Sequence, residues 1–122
     1  MTYDILERRA YLRALKLQRR RNFPAANIAA GKSKYIKTDR SGPISLHYIS
    51  NKLKIKLATI GVLYTKLNGN YIGCCAEVNA ANQILLRFPF LDPNQVKFSK
   101  AIRPRTMQKI PTCRNCINTF NL

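Results

Sequence analysis

The apolar and polar positions of this chain change period several times, and each change marks an element. Over residues 4–21, Ile5, Leu6, Tyr11, Leu12 and Leu15 recur at near-helical spacing. Arg8, Arg9, Arg13, Lys16 and Arg19 to Arg21 fill the remaining surface, the pattern of an amphipathic basic helix. The next stretch, NFPAANIAAGKSKYIKTDRSGP, mixes Pro, Gly, Ser and Asn with no sustained period and reads as a loop or an arm over the core. From Pro43 onward, Ile44, Leu46, Tyr48, Ile49 and Leu53 predict a short helix ending in the Lys52, Lys54, Lys56 run. KLATIGVLYTK, β-branched and almost unbroken in its apolar middle, predicts a strand covered on both faces. LNGN then supplies the Asn-Gly pair of a tight hairpin turn, with YIG pairing back. A helix opens near Cys75, carries Ala76, Ala80, Ala81, Ile84, Leu85 and Phe88 on its apolar flank, and ends before Pro89. QVKFSKAIR reads as a third strand, and Pro111, two residues ahead of Cys113, marks a second helix start.

These elements suit one compact unit, because 122 residues with 46% hydrophobic content can build one real core and not two. The economical organisation is a basic N-terminal helix and arm over residues 1–43 and a domain over residues 44–122. Charge changes the picture more. With 22 Lys and Arg against five acidic residues the formal net charge is +17, and the self-repulsion this brings points to a polyanionic partner. Nucleic acid is the first candidate. A membrane surface is the second, but no apolar run approaches the roughly 18 residues of a spanning helix. The charged N-terminus has no apolar segment of a signal peptide, so the chain reads as soluble.

In so basic a chain the stretch YIGCCAEVNAANQ stands out, with Glu77 close behind paired thiols. Cys74 and Cys75 are adjacent and Cys113 and Cys116 form a CxxC pair, a crowding that suits a reduced metal site better than a disulfide framework. Cys75, Cys113 and Cys116 supply the three protein ligands that leave a fourth tetrahedral position open on a catalytic zinc. Helix starts at Cys75 and Cys113 favour the anionic form of sulfur. Glu77 falls in the first turn of its helix, within reach of the metal site without ligating. Cys74 reads as a small packed side chain, since neighbouring residues rarely aim at one metal. His47 reads as a core or surface residue.

Cys75-Ala76-Glu77 followed by Pro111-Thr112-Cys113-Arg114-Asn115-Cys116 resembles the cytidine deaminase superfamily, whose signature is H-x-E followed by P-C-x-x-C with a cysteine variant for the histidine. CAEVNAANQ is most similar to the YwqJ-like deaminases, the warheads of bacterial polymorphic toxins. The resemblance spans roughly residues 44–122 and departs from the family where Thr112 separates Pro111 from Cys113. It implies an α/β fold of three α/β/α layers, with a minimal mixed sheet, a β-hairpin and two ligand-bearing helices. Six residues follow Cys116, which is why a minimal sheet is expected. It further implies one catalytic zinc on Cys75, Cys113 and Cys116, no other cofactor, and Glu77 as the proton carrier in converting cytosine to uracil. Three thiolates leave the site negative, so Arg114 is expected to offset that charge by a hydrogen bond to a ligand sulfur.

The charge favours a polymer substrate over a free nucleoside, with DNA preferred and RNA open. Asn70 is a candidate for contact with the sugar, though its hairpin position explains it equally. Tyr71, Tyr64, Phe88 and Phe90 are candidates for stacking on bases, and core packing is the ordinary explanation of such aromatics. A toxin of this kind acts as a monomer in the cytoplasm of a target cell after delivery, and its producer needs an acidic immunity protein over the basic cleft. Two competing readings are a non-enzymatic basic zinc module that binds RNA or DNA, and a free-nucleoside cytidine deaminase.

Overall fold

In the computed structural model, which describes residues 3–45 and 47–122, the N-terminal helix forms as α1 (Tyr3–Arg19). Its buried stripe differs from the one its large apolar residues suggest. Leu6, Ala10, Ala14 and Leu17 are buried, whereas Ile5, Tyr11 and Leu12 are about half exposed. The surface beneath explains the choice. Two alanines let the helix backbone approach strand β1 (Asn27–Lys32) closely, and Ala29 and Ile102 complete a small cluster with Leu6, Ala10 and Ala14. The buried Asn27 amide donates to the Ala10 carbonyl at 3.0 Å, pinning helix to strand.

Strand β1 pairs antiparallel with β2 (Tyr35–Arg40), from Asn27 opposite Arg40 to Lys32 opposite Tyr35. The segment read as a loop or arm is therefore a central hairpin, which corrects the expectation. Its sequence gives little local signal: NIAAGK holds a single β-branched residue, and the turn at Ser33, with φ of 54°, lacks the Asn-Gly pair. Burial by helices on both faces makes it a strand.

Along its other edge β1 meets β5 (Lys97–Phe98) and then β6 (Ala101–Arg103), with β7 (Gln108–Ile110) beyond. QVKFSKAIR, expected as one strand, is interrupted at Ser99. There the Ser99 N–H donates to the Ala29 carbonyl and Ser99 Oγ accepts from the Ala29 N–H, both at 2.9 Å, so the side chain replaces a missing ladder bond. Among the described residues every pairing is antiparallel, and the expected mixed sheet does not form. The β1–β2 and β6–β7 connections are turns far too short for a parallel crossover.

Ile28 and Ala30, on the other face of β1, pack in the main core with Ala80, Ala81, Ile84 and Leu85 of α3 (Ala76–Arg87). The result is a mixed α/β fold of four helices and a small antiparallel sheet among the described residues. Helix α3 takes the predicted apolar flank and yields to Phe88 ahead of Pro89. Its polar residues fasten it to the end of β2 and to the loops around it. Asn79 Nδ2 donates to the Arg40 and Gly42 carbonyls at 3.0 and 2.7 Å, and Gln83 Nε2 to Asp39 Oδ2 at 2.8 Å. Asn82 accepts from the Ser50 N–H and donates to the Tyr48 carbonyl, both at 2.7 Å.

Helix α2 (Asn51–Ile60) overturns two expectations. It starts later than Pro43, capped by Ser50, whose hydroxyl accepts from the Leu53 N–H; Leu46 lies outside the described residues. It also takes in Leu57 to Ile60, the first part of the stretch expected as a strand. Leu53 and Leu57, one helical turn apart, are buried while Ile55, Ala58 and Thr59 are exposed, and this one-sided burial outweighs β-branched propensity. The predicted Asn-Gly turn joins β3 (Lys66–Leu67) to β4 (Asn70–Tyr71), with Asn68 and Gly69 at φ of 52° and 82°. The last helix, α4 (Arg114–Phe120), opens at Cys113 as the CxxC pair suggested. No helix among the described residues is long and apolar enough to cross a membrane.

Asn82→Ala strands a backbone donor and a backbone acceptor at once. A loss of about 2–3 kcal/mol in a urea unfolding titration is expected, set by the cost of leaving such groups unpaired. An unchanged midpoint refutes the tie.

Candidate metal centre

Two helix starts converge here. Cys75 and Cys113 are the N-caps of α3 and α4, each with extended backbone (ψ of 150° and 157°) that turns its side chain off the helix end. Cys116 lies one turn into α4, on the side that carries the Cys113 sulfur. The three Sγ atoms lie within 4.8 Å of one another, and those of Cys75 and Cys113 are 3.2 Å apart. All four cysteines are free. Zinc–sulfur bonds of about 2.3 Å at tetrahedral angles separate sulfurs by about 3.8 Å, so shifts of about 1 Å or less accommodate the ion. The three sulfurs can hold a metal such as zinc. Cys74, half-buried beside them, is not part of the cluster.

Within the cluster the shared hydrogen bonds move the thiols in opposite directions, Cys113 down and Cys75 and Cys116 up. Cys113 is driven well below the usual thiol range, first by a hydrogen bond from Cys116, then by one from Cys75, with the Asn115 and Cys116 amides acting in the same sense. Cys116 is pushed up because its proton is held against Cys113 and Cys75 and because it is buried. Cys75 is raised chiefly through its hydrogen bond to Cys113. Glu77 in the first turn of α3 is only 5% exposed. Burial raises its carboxyl pKa, a hydrogen bond from Cys116 opposes this, and the negative charge of Cys113 adds to the rise. The carboxyl thus feels both the Cys116 thiol and the Cys113 charge, and it lines the same cleft as Cys75 and Cys113.

Cys75, Cys113 and Glu77 open onto a cleft of about 430 Å³, within the size range of small-ligand sites. Its walls come from Ala25 and Ala26, from Ser41 and Gly42, from the β3–β4 hairpin and from Arg103. Of the residues the sequence offered for substrate contact, Asn70 and Tyr71 line this cleft, and Tyr64, Phe88 and Phe90 do not. The Tyr64 hydroxyl is engaged by the Ile44 carbonyl, and Phe88 packs edge-on against Tyr35. His47 is exposed in a turn.

Arg114 is exposed, and no hydrogen bond joins it to a sulfur among the described residues, contrary to expectation. Its guanidinium stays in water, and the amides of Asn115 and Cys116 act on the Cys113 charge instead. The residue the sequence reading passed over is its neighbour. Buried Asn115 donates from Nδ2 to the Leu67 and Asn70 carbonyls at 2.8 and 3.2 Å, and its Oδ1 accepts from Asn68 Nδ2 at 3.2 Å. It thereby clamps the hairpin wall to the ligand-bearing helix. The only available signal was an uncharged amide inside a CxxC pair. Arg103 was missed too, its strand being legible but not its outlook on the cleft.

One equivalent of zinc is expected to bind, read by competition with a chromophoric chelator. Cys75→Ser, Cys113→Ser and Cys116→Ser each abolish stoichiometric uptake, and Cys74→Ser retains it. Zinc displaces the protons of Cys75 and Cys116, so affinity falls as pH falls, by up to about tenfold per proton for each unit. Retention of zinc by all three ligand variants rules out the site. No protein family, curated protein or solved structure matches this chain.

Proposed function

We propose that the chain is a zinc-dependent deaminase that converts cytosine to uracil in nucleic acid, with DNA the preferred polymer. The observation that carries the reading is a buried carboxyl, Glu77, that lines one cleft together with Cys75 and Cys113 of a convergent three-sulfur cluster. An acid in the first turn of a helix gains about 0.3–1 kcal/mol from the dipole, and it gains this while exposed. Burying it costs more than that. The dipole alone does not account for Glu77, whereas a proton-transfer role does.

Cys75, Cys113 and Cys116 would hold the metal. Zinc, when bound, supplies the Lewis acidity that makes water a nucleophile near neutral pH. Water adds oxygen at C4 of the base, and the exocyclic amine leaves as ammonia. A Glu77 carboxylate oxygen accepts a proton from the attacking water, delivers it to the ring nitrogen, and assists protonation of the leaving amine. Tyr71, more than half exposed on the hairpin, offers a flat apolar wall for the base. A base, on this reading, enters the cleft only after leaving its stack. On this reading the activity is toxic to a cell whose nucleic acid is edited, and an acidic protein that covers the cleft is the expected safeguard of the producer.

Zinc-loaded protein is expected to generate uracil in cytosine-containing oligonucleotides, measured by mass spectrometry on DNA and RNA, single-stranded and duplex. Glu77→Gln lowers the rate by about 10²–10⁴-fold while nucleic-acid affinity persists. Absence of uracil from every substrate, with binding intact, makes the chain a non-enzymatic zinc module instead. Activity confined to free cytidine and indifferent to salt makes it a nucleoside deaminase.

A further inference from the structure

The α1–β1 connector and the β6–β7 turn meet at the rim of the cleft. Arg105 on that turn lies over the ring of Phe23 on the connector, its guanidinium carbon 4.3 Å from the ring centroid. Phe23 remains 36% exposed. Two residues further on, Ala25 lines the cleft, and so does Arg103, two residues before Arg105. Backwards along the chain, Arg19, Arg20 and Arg21 are exposed at the end of α1. Two chain segments thus bring a ring, Phe23, and two cations, Arg103 and Arg105, next to residues that line the site.

The turn is built to hold this arrangement. Pro104 is buried, and the Thr106 and Met107 N–H groups both donate to the Arg103 carbonyl, at 3.2 and 2.7 Å. Among the described residues the ion pairs are Lys52 with Asp92 and Lys109 with Glu7. Among the described side chains, neither Arg103 nor Arg105 pairs with a carboxylate. A guanidinium stacked on a ring keeps its in-plane N–H groups free for phosphate, and a half-open ring offers its surface to a base.

We propose that Arg103, Arg105 and Phe23 form a binding strip for single-stranded nucleic acid, seating the nucleotides that flank the base in the cleft. Arg103 and Arg105 take successive phosphates and Phe23 stacks on a flanking base. The strip favours a single strand because a π surface engages unpaired bases, which a duplex keeps stacked inside. This deepens the deaminase reading by naming the form of its substrate, and it rests on that reading for its purpose but not for its test.

The test uses oligothymidylate, which contains no cytosine, so binding is measured without chemistry. The chain has no tryptophan, which makes Phe23→Trp a unique reporter at the strip. Its fluorescence is expected to be quenched on addition of single-stranded oligothymidylate. The double variant Arg103→Ala/Arg105→Ala should flatten the salt dependence of binding by about 1.4 in log–log slope, about 0.7 for each phosphate lost. Lys34→Ala/Lys54→Ala, which removes the same charge from exposed positions elsewhere, should leave that slope nearly unchanged. Phe23→Leu should weaken binding by about fivefold or more. Equal effects of the two double variants, tryptophan emission that does not respond during binding, or a preference for duplex each overturn the strip. Matched RNA and DNA strands show which sugar it accepts, and weaker binding of both than of a duplex counts against it. A working strip with no uracil from cytosine strands refutes the deaminase reading alone, and uracil production that is unaltered in the strip variants refutes the strip alone.

Discussion

Three sulfurs drawn to one point by two helix starts form the junction on which the site depends. Cys75 and Cys113 are 38 residues apart in the chain, so their meeting has to be arranged by everything between and around them. Helix α3 is fixed by burial of Ala80, Ala81, Ile84 and Leu85 against β1, and α4 by Phe120, whose ring lies 4.9 Å from that of Phe98 on β5. Both helices therefore refer to the same sheet, and that common reference brings the sulfurs within a metal's reach. From the junction the order spreads outward. Asn115, placed between the two CxxC cysteines, passes it to the hairpin, whose strands are exposed and have little other anchorage. A metal that fixes α4 accordingly also fixes a wall of the cleft.

What could be read from the residues divides along physical lines. The two ligand-bearing helices were legible because caps, a proline and a one-sided apolar flank all agree at Cys75, Pro89 and Pro111. The convergence of Cys75, Cys113 and Cys116 was legible for a related reason, since the cluster is made by helix starts that local sequence specifies. The β1–β2 hairpin was not. Alanine and glycine carry almost no strand preference, and Ala29 and Ala30 become strand residues only because α1 and α3 press on them from opposite sides. KLATI failed the other way: its β-branched content suggested a strand, while the position of Leu53 and Leu57 against the core decided for a helix. In α1 the large residues misled and the small ones carried the contact. Each error comes from tertiary packing overriding a local preference. The walls of the cleft, assembled from four separate segments, are tertiary by construction and had no local signature.

The few acids in this chain show why Glu77 is different. Among those whose side chains are described, Glu7 accepts from the Lys100 N–H and pairs with Lys109, Asp39 holds Gln83 and the Arg40 N–H, and Asp92 faces Lys52. Each has a cation, an amide or a backbone donor as partner and does a local structural task. Glu77 has sulfur as its neighbour and a cleft before it. In a molecule with so many unpaired cations, a carboxyl placed for stability alone would gain more by standing next to one of them.

The same scarcity of acids shapes the outer surface. The formal charge is +17 and ion pairs are few among the described residues, and diffuse charge attracts a polyanion without positioning it. On the proposed deaminase reading, acting on one base needs position, within about half an ångström of the reacting atoms. Attraction therefore has to be converted into register by groups whose freedom is already reduced. At the cleft rim that reduction is visible: Arg105 is stacked, its turn is closed on the Arg103 carbonyl, and Phe23 issues from a connector tied to α1 on one side and β1 on the other. Ordering a free arginine costs about 0.5–1.5 kcal/mol per side chain on binding, and a pre-stacked one avoids part of that cost. On the deaminase reading proposed above, the diffuse charge would bring a strand near, and the groups at the rim would decide which nucleotide faces the carboxyl.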